Sequence, residues 1–458
     1  MARSPNRYYR FSISPIRRAG VLFILITLAL AVHKLTAQQP SSVKTNDALD
    51  SGKVVPTARA NTQNKTSRPI TLDEAVSIFL AQNLQLVAAR YDIDEVDAEK
   101  LSARLRPNPS ISIGSSGLPL LARPFLSPQT FAYNISQDFE LGGKRAKRIT
   151  SANANSELAR AQFQIVVWQM TNDLKRKFYS VLLAESLLNL AKENQTTFSE
   201  IVERTRQVFR SGEISGLDLQ RLEIEKFKFD TDLANSERDF ELALRDLRSA
   251  LGGEYRSMSD IDAAGSIEYY KSYDLTFAEM LDKALSARPD LKAAELGERA
   301  ADAAISLQDA QKMPDLTVSA GVNQVVAGGS NYNFGIGIVL PISDRNQTER
   351  AKALIEKKKA QNQQLIITNQ VISDVDKAMV AFNVQKRRLE LYRTGVLGKV
   401  TDIQTATEFA LKAGENSTLD LLDAIRTRRD TLAGFYQTIF DYQMSLLDLE
   451  LATATPLP

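Results

Sequence analysis

The stretch YNISQDFELGGKR, at residues 133–145, decides the fold of this chain. In its first nine residues apolar side chains alternate with polar ones, and Gln137 is the one polar residue on the apolar side. A period of two predicts a strand with one apolar and one polar face. Gly142 and Gly143 end this strand, because glycine adopts turn conformations that other residues resist. The next 68 residues contain neither glycine nor proline, which predicts a helix of about 100 Å.

The same order of elements returns in the second half of the chain, in the stretch FGIGIVLPISDRNQTER at residues 334–350. Matching segments precede both copies: ITLDEA at 70–75 matches LTFAEM at 275–280, and each begins a helix with a capping pattern. The helix tips also match, FRSGEISGLDLQRLE at 209–223 with ALKAGENSTLDLLDAI at 410–425. Chance similarity between amphipathic helices would not hold register at both ends of such a span. The sequence therefore predicts a duplicated unit of helix, strand, strand, long helix and helix.

Each half is predicted to hold one long helix with two shorter helices stacked end to end beside it. In the first repeat, residues 70–251, the elements are expected at 71–106, 110–118, 130–141, 144–210 and 217–251. In the second repeat, residues 276–455, they are expected at 276–312, 315–325, 332–342, 345–412 and 419–452. An irregular linker at 252–275 joins the repeats. Bends are expected in the second repeat at Pro289, Gly297, Gly395, Gly398 and Gly434.

The first 37 residues have the pattern of a secretory signal peptide. A basic start precedes an apolar run at 19–32, which is shorter than the roughly 20 residues that span a bilayer. Residues 35–37 are an imperfect cleavage site, because Leu35 is larger than the small residue usual there. A retained membrane anchor is the alternative. Residues 38–69 are rich in Ser, Thr, Asn, Gln and Lys and are expected to form a flexible leader.

An exported chain with short alternating strands suits an outer membrane, where the spanning segments are strands of about 10 residues. Four strands cannot close a barrel alone, and open edges in lipid leave backbone groups unpaired. We therefore expect a mainly α-helical chain whose strands are pooled with those of other copies in a membrane β-barrel. The side chains expected to face lipid are Tyr133, Ile135, Phe139, Ile336, Ile338 and Leu340. A soluble β-domain with these side chains in its core is the alternative.

Composition excludes several classes of function. The formal net charge is +2, so no nucleic-acid partner is expected. The chain has no cysteine, and its one histidine, His33, lies in the predicted signal peptide. Nucleophiles and zinc sites that need Cys or His are therefore excluded from the mature chain, and we expect no enzymatic activity, cofactor or bound metal. A periplasmic coiled-coil adaptor or a structural coiled-coil protein would also use such helices, but neither needs two hairpins between them.

With these motifs the chain resembles the TolC family of outer-membrane efflux channels, over residues 70 to about 455. The two tip motifs carry the resemblance, and QDFELGGKR at 137–145 is similar to the heavy-metal (cobalt–zinc–cadmium or copper) branch. The resemblance implies a homotrimer with an α-helical tunnel and a 12-stranded β-barrel, in the outer membrane and extending into the periplasm. It implies a periplasmic adaptor and an inner-membrane pump as partners. The implied function is a passive exit duct for divalent heavy-metal ions, with multidrug efflux and type I protein secretion as alternatives.

The tips hold the candidate site residues: the turn residues Gly212, Gly414, Ser215 and Ser417, and the acidic residues Asp218, Asp420 and Asp423. Asp420 and Asp423 are three positions apart on a helix and can point to one side. By resemblance they stand where the family places an acidic ring at the periplasmic entrance. Helix capping is the alternative; it suits Asp218 and Asp420, in S-x-x-D patterns, but not Asp423. The family's closing links use a tyrosine and an arginine at the positions of Leu411 and Asn416, so a looser resting gate is expected.

Overall fold

The structure, a computed structural model, describes residues 68–116, 130–212, 214–252, 260–268, 270–325, 328–412 and 417–456. The predicted signal peptide and nearly all of the predicted leader lie outside the described residues, as do Gly414, Asn416 and the side chain of Leu411. The part of the chain that is described is mainly helical, as the sequence predicts.

The helices of the first half are α1 (Leu72–Gln82), α2 (Leu84–Arg104), α3 (Lys144–Arg210) and α4 (Gly216–Leu251). Those of the second half are α5 (Phe277–Ala287), α6 (Pro289–Gln311), α7 (Gln347–Leu391), α8 (Leu397–Lys412) and α9 (Thr418–Thr453). A π-helical turn, Tyr392–Val396, lies between α7 and α8. The strands are β1 (Arg68–Ile70), β2 (Ser110–Ser116), β3 (Thr130–Phe139), β4 (Ile261–Ala263), β5 (Leu316–Val325) and β6 (Ser330–Ile338). The order of helices, hairpins and long helices is thus the same in both halves.

The junction between β3 and α3 has the conformation that its two glycines predict. Gly142 and Gly143 have φ values of 68° and 71°, in the left-handed region. A Cβ atom on Gly142 would lie 2.6 Å from Cγ of Met313, so a larger residue does not fit there. At the equivalent junction before α7, Asn346 has φ 60°, and asparagine adopts this region more readily than most residues. Both halves therefore turn from strand to long helix through a left-handed residue.

Four strands form one antiparallel sheet in the order β2-β3-β5-β6. Its register places Ile113, Tyr133 and Val322 opposite one another, and Ser112 opposite Asn134 on the other face. One face is consequently apolar across all four strands and carries Ile111, Ile113, Tyr133, Ile135, Phe139, Leu316, Val318, Val322, Tyr332, Phe334, Ile336 and Ile338. The other face carries small and polar side chains, among them Ser112, Asn134, Ser136, Asp138, Thr317, Ser319 and Asn333.

Five of the six residues predicted for the lipid-facing strand surface lie on this apolar face. The sixth, Leu340, does not belong to a strand, because β6 ends at Ile338 and the chain then turns through Pro341. The predicted strand at 332–342 was placed too late along the chain: β6 begins at Ser330. Apolar residues continue to alternate beyond Ile338, where the backbone pairing with β5 ends. The alternation therefore predicts a strand that reaches further along the chain than β6 does.

The shorter helices of each half stack end to end beside its long helix, as predicted: α2 and α4 contact α3, and α6 and α9 contact α7. In the first half the side chain of Asn83 donates to the carbonyl of Ala250 at 3.0 Å, so the start of α2 meets the end of α4. In the second half Arg288 donates to the carbonyl of Ala452 at 3.3 Å, so the start of α6 meets the end of α9. Asn83 and Arg288 are 205 positions apart, and Ala250 and Ala452 are 202 apart. These are the offsets of the sequence repeat, and the two joints are therefore the same structural element.

The helices break at the two end-to-end joints, and only some of the glycines at which bends were expected coincide with a break. The predicted single helix at 71–106 ends at Gln82 and begins again at Leu84, because Asn83 caps the second segment through the amides of Gln85 and Leu86. Pro289 begins α6, and the π-helical turn contains Gly395. Gly297 and Gly434, in contrast, lie inside continuous helices.

The core of the described region lies where both joints and the linker meet. Its largest fully buried side chains include Phe79, Phe178, Leu247, Ile267, Phe382 and Tyr442. The linker is less irregular than predicted, since β4 pairs in parallel with β1, and the hydroxyl of Tyr442 donates to the carbonyl of Lys271 at 2.8 Å. None of the described helices has the length and apolarity needed to cross a bilayer.

Candidate functional site

The second tip, at the start of α9, is a complete capping box. The Ser417 hydroxyl accepts from the Asp420 amide at 3.3 Å, and the Asp420 carboxylate accepts from the Ser417 amide at 2.9 Å. The hydroxyl of Ser417 also donates to this carboxylate, and these hydrogen bonds lower the pKa of Asp420. Asp420 therefore stabilises the helix start as the capping alternative predicts, and it stays ionised.

Asp423 lies one turn further into α9, is exposed and has no capping role. Arg426 follows three positions later on α9, and its guanidinium binds Glu225 of α4, with Nε to Oε1 at 3.0 Å. The pKa of Arg426 is raised mainly by this hydrogen bond and less by the charge of Asp423. Asp423 thus presents a carboxylate to solvent at the tip, three positions from the carboxylate of Asp420.

The first tip has a different charge pattern. Gly212 supplies the left-handed turn with φ 83°, and Ser215 caps α4 by accepting from the amide of Leu217 at 3.1 Å. Asp218 lies 3.8 Å from Arg221, and Arg221 occupies the position that Asp423 holds in the second half. Asp218 is therefore partly neutralised within its own helix, whereas the second tip has two carboxylates at the same positions.

Above the tips, α9 is held against the α3–α4 pair by arginines that the sequence reading did not single out. Besides the bond of Arg426 to Glu225, Arg429 binds Asp232 at 3.0 Å and Arg428 binds Glu193 at 2.9 Å. The apolar side of this contact is a buried cluster of Phe198, Val202, Leu222, Phe229, Leu421, Leu422 and Ile425. A spacing rule would not have found these links, since their acidic partners are about 200 or more positions away.

Glu225 is the most buried acid of this contact. Burial opposes its charge, but hydrogen bonds from Arg426 and Lys228 outweigh burial and lower the pKa of Glu225. A carboxyl group with a lowered pKa in the folded protein stabilises the fold above its unfolded pKa, and that contribution is lost as the pH falls through the lowered value. The ion pair between Glu225 and Arg426, which joins α4 to α9, is therefore present at neutral pH and weakens in acid.

The joint at Arg288 is a second site that sequence reasoning missed. Its guanidinium binds both carboxylate oxygens of Asp290, at 2.6 and 3.0 Å, and Asp374 of α7 at 2.9 Å. The guanidinium carbon lies 5.2 Å from the ring centre of Trp168, in a cavity of about 460 Å³. Burial opposes the charge of Arg288, but the two carboxylates outweigh it and raise the pKa. Trp168 forms one wall of this joint.

The described residues contain no group of three His, Cys, Asp or Glu side chains placed to hold a metal ion. The tip of the helices offers electrostatic binding of cations through its exposed carboxylates. The other end of the helices carries a sheet with one apolar and one polar face.

Comparison with a protein-family model identifies the family of this chain. The model described as "Outer membrane efflux protein" matches residues 75–253 and 280–454, which are the two repeats. The chain belongs to the outer membrane efflux protein family. The predicted resemblance to TolC-like channels is confirmed, and the family description places this efflux protein in the outer membrane.

Known relatives and solved structures agree with this family. The chain is 28% identical to the cobalt-zinc-cadmium resistance protein CzcC of Cupriavidus metallidurans, over 78% of this chain and 84% of that protein. It is 23% identical to nodulation protein T of Rhizobium leguminosarum bv. trifolii, over 79% of this chain and 81% of that one. A crystal structure of CusC superimposes with a TM-score of 0.70 at 18% identity, covering 88% of this chain and 96% of CusC.

The comparisons confirm the predicted fold class, because CusC shares it over nearly its whole length. Membership of an efflux family also distinguishes this protein from the adaptor and from the structural coiled-coil protein that the helices alone allowed. An efflux role is a transport role, in line with the expectation of a chain without enzymatic activity.

Proposed function

We propose that this outer membrane efflux protein is the exit duct of a system that expels divalent heavy-metal ions. The observation that carries the cargo assignment is the similarity to CzcC, a cobalt-zinc-cadmium resistance protein, over most of both chains. The exposed carboxylates of Asp420 and Asp423 support it, because they favour cations near the tip. The duct itself is passive, and an inner-membrane pump linked through a periplasmic adaptor selects the cargo.

The functional unit is a homotrimer, and its support comes from the free edges of the described sheet. β2 and β6 each pair on one side only, which in lipid would leave a row of backbone groups unsatisfied. Helices α2 and α7, which precede β2 and follow β6 in the chain, have exposed apolar side chains at helical spacing. These are Leu84, Val87, Tyr91 and Leu101 on α2, and Ile355, Leu365, Ile366, Ile372 and Val380 on α7. Joining β6 and α7 of one copy to β2 and α2 of the next covers both kinds of edge.

Disulfide trapping tests the trimer, and the absence of native cysteine makes the test clean. A chain with one cysteine on each edge strand, Ser112→Cys on β2 and Gly335→Cys on β6 as the first of a register series, is expected to give covalent dimers and trimers. The measurement is non-reducing gel electrophoresis of outer-membrane fractions. Moving the β2 cysteine to Asn134 of β3, which already pairs on both sides, is the control and removes the ladder. A ladder that stops at two chains, or extends beyond three, contradicts the trimer.

Deletion of the gene tests the cargo. The mutant is expected to become sensitive to cobalt, zinc, cadmium or copper, because the pump then lacks an exit across the outer membrane. Growth inhibition is measured for each ion, with dyes, detergents and antibiotics measured beside them. Sensitivity confined to those organic compounds would favour the multidrug alternative, and loss of a secreted protein would favour type I secretion.

A third test concerns the tip. In a trimer, Asp420 and Asp423 supply six carboxylates, which are expected to bind divalent cations. The bound cations should block single-channel conductance in planar bilayers. Asp423→Asn should raise the half-blocking cation concentration by roughly tenfold, because it removes three charges from the pore axis. Asp420→Asn adds to this effect, and asparagine retains an oxygen for the Ser417 cap.

Asp402→Asn on α8 is the matched control for the tip, because Asp402 is an exposed acid on the same helical hairpin. It should leave the block unchanged. If Asp402→Asn and Asp423→Asn have equal effects, general surface charge causes the block and the acidic ring is wrong.

A further inference from the structure

The place where the sheet of the first half meets its helices carries an excess of positive charge. We call residues 101–116 and 130–150 the first junction. It contains six cations, Arg104, Arg106, Lys144, Arg145, Lys147 and Arg148, but only two acids, Asp138 and Glu140. The equivalent second junction, residues 306–321 and 332–352, contains four cations and four acids. The repeat therefore conserves the fold of the junction but not its charge.

Contacts within the chain neutralise only part of the first junction. Arg148 binds both oxygens of Glu140, at 2.5 and 3.2 Å, and Lys144 binds Asp315 at 2.7 Å. Arg145 donates to the carbonyl of Arg104 at 2.8 Å, which holds its guanidinium beside the end of α2 without cancelling its charge. Among the described residues, no carboxylate forms an ion pair with four of the cations: Arg104, Arg106, Arg145 and Lys147.

A second copy of the chain brings few free carboxylates that could neutralise these four cations. In the proposed trimer the edge-to-edge contact brings the second junction of the next copy beside the first junction, and most acids of the second junction already have partners. Asp309 binds Arg350 at 2.8 Å, Glu349 binds Lys352 at 2.7 Å, and Asp315 is the partner of Lys144. Only Asp344 lacks an ion-pair partner in the described structure, and its carboxylate accepts from the amide of Asn346. The excess charge of the first junction therefore calls for an anion that is not protein.

Apolar side chains next to the four cations indicate what carries this anion. Leu105, between Arg104 and Arg106, is 66% exposed, and Ile111 at the start of β2 is also 66% exposed. Phe139 and Leu141 at the end of β3 are exposed as well. Apolar residues that give way to Lys and Arg over one or two turns are typical of a membrane–water boundary, where the cations meet lipid phosphates.

We propose that the first junction binds the headgroups of anionic phospholipid in the leaflet of the outer membrane that faces the periplasm. Arg104, Arg106, Arg145 and Lys147 contact the phosphates, and Leu105 and Ile111 enter the acyl region. The assignment rests on the proposed contact of the apolar sheet face with lipid. It predicts that each trimer fixes a ring of anionic lipid at three places.

Lipid competition tests the assignment. Purified full-length protein is mixed with equal amounts of phosphatidylglycerol and phosphatidylcholine, and retained lipids are counted by native mass spectrometry. The parent protein should retain phosphatidylglycerol in preference to phosphatidylcholine. The variant Arg104→Gln/Arg106→Gln/Arg145→Gln/Lys147→Gln should lose this preference, by up to about fivefold for each charge removed. Lys147→Gln alone changes one exposed side chain and should lose part of the preference with the fold intact.

The matched control removes four exposed cations from other helical positions: Arg299→Gln/Lys358→Gln/Arg393→Gln/Lys399→Gln. It should retain the preference of the parent. An equal loss in the control, a preference that survives in the quadruple variant, or inhibition of lipid binding by millimolar inorganic phosphate alone overturns the assignment. Conductance in planar bilayers distinguishes failure of this lipid assignment from failure of the proposed function. If the parent protein conducts ions but shows no lipid preference, the proposed function stands and only the lipid assignment is wrong.

Discussion

Ile336→Arg is expected to prevent stable assembly in the outer membrane. Ile336 lies on the apolar face of β6 and is 76% exposed. A lipid-facing arginine near the midplane of a β-barrel costs about 2–4 kcal/mol, and a trimer multiplies this cost by three. The measurement is the amount of heat-modifiable protein in outer-membrane fractions, compared with the parent.

Asn333→Arg is the control for Ile336→Arg, because it places the same side chain on the polar face of the same strand. Asn333 lies opposite Gly321 and makes one exposed hydrogen bond, to Asn134 at 3.2 Å. Assembly of this variant should be close to normal, with altered ion selectivity as the visible effect. If both variants assemble equally well, the apolar face does not contact lipid and the alternative of a soluble β-domain is favoured.

Arg288→Ala is expected to lower the free energy of unfolding of the helical region by about 3 kcal/mol. The guanidinium is 5% exposed and is shared by Asp290, Asp374 and the carbonyl of Ala452. Removing it leaves two close carboxylates and a carbonyl without their donor. The value lies at the lower end for a broken buried ion pair, because Asp374 is partly exposed to water. Urea denaturation followed by circular dichroism measures the change.

The equivalent joint of the first half supplies the comparison. Asn83→Ala removes a helix cap and one hydrogen bond to Ala250 but leaves no charge unpaired. Its cost should be about 1–2 kcal/mol. Arg288→Lys keeps the positive charge but not the planar fork, so its stability should fall between those of Arg288→Ala and the parent. If Asn83→Ala lowers the free energy of unfolding as much as Arg288→Ala does, the ion pairs of Arg288 add no stability beyond that of the helix-end contact that both joints share.

Local patterns were enough to predict most of the fold. Helix α3 has the predicted bounds at Lys144 and Arg210, because no residue between them breaks a helix and Gly142 and Gly143 stop the strand. The alternation in β3 gave the correct faces of the sheet, since a one-residue slip would exchange them. The helix lengths also predicted the end-to-end stacking, because the two short helices of the first half together match its long helix in length.

Contacts between distant residues could not be predicted from the sequence alone. The break at Asn83 contains no proline or glycine, and the hydrogen bond from Asn83 to the carbonyl of Ala250 joins residues far apart in the chain. Arg288 looks like an ordinary surface arginine until α7 brings Asp374 to it. At the tip, the S-x-x-D pattern predicted the cap at Asp420 correctly, but in the first half Asp218 turns to Arg221 instead. The acidic ring stays a prediction, since it depends on other copies of the chain.

The unbroken length of α3 has a consequence for how such a protein can change its reach. A helix of 67 residues fixes about 100 Å between the sheet and the tip. An insertion in α3 alone would move Phe198 and Val202 out of register with their partners on α4 and α9. A longer duct, suited to a wider gap between two membranes, therefore requires insertions of equal length, in whole heptads, in both halves at once. The distance from the sheet to the tip is in this way set by both repeats of one chain, and neither repeat can change its length without the other.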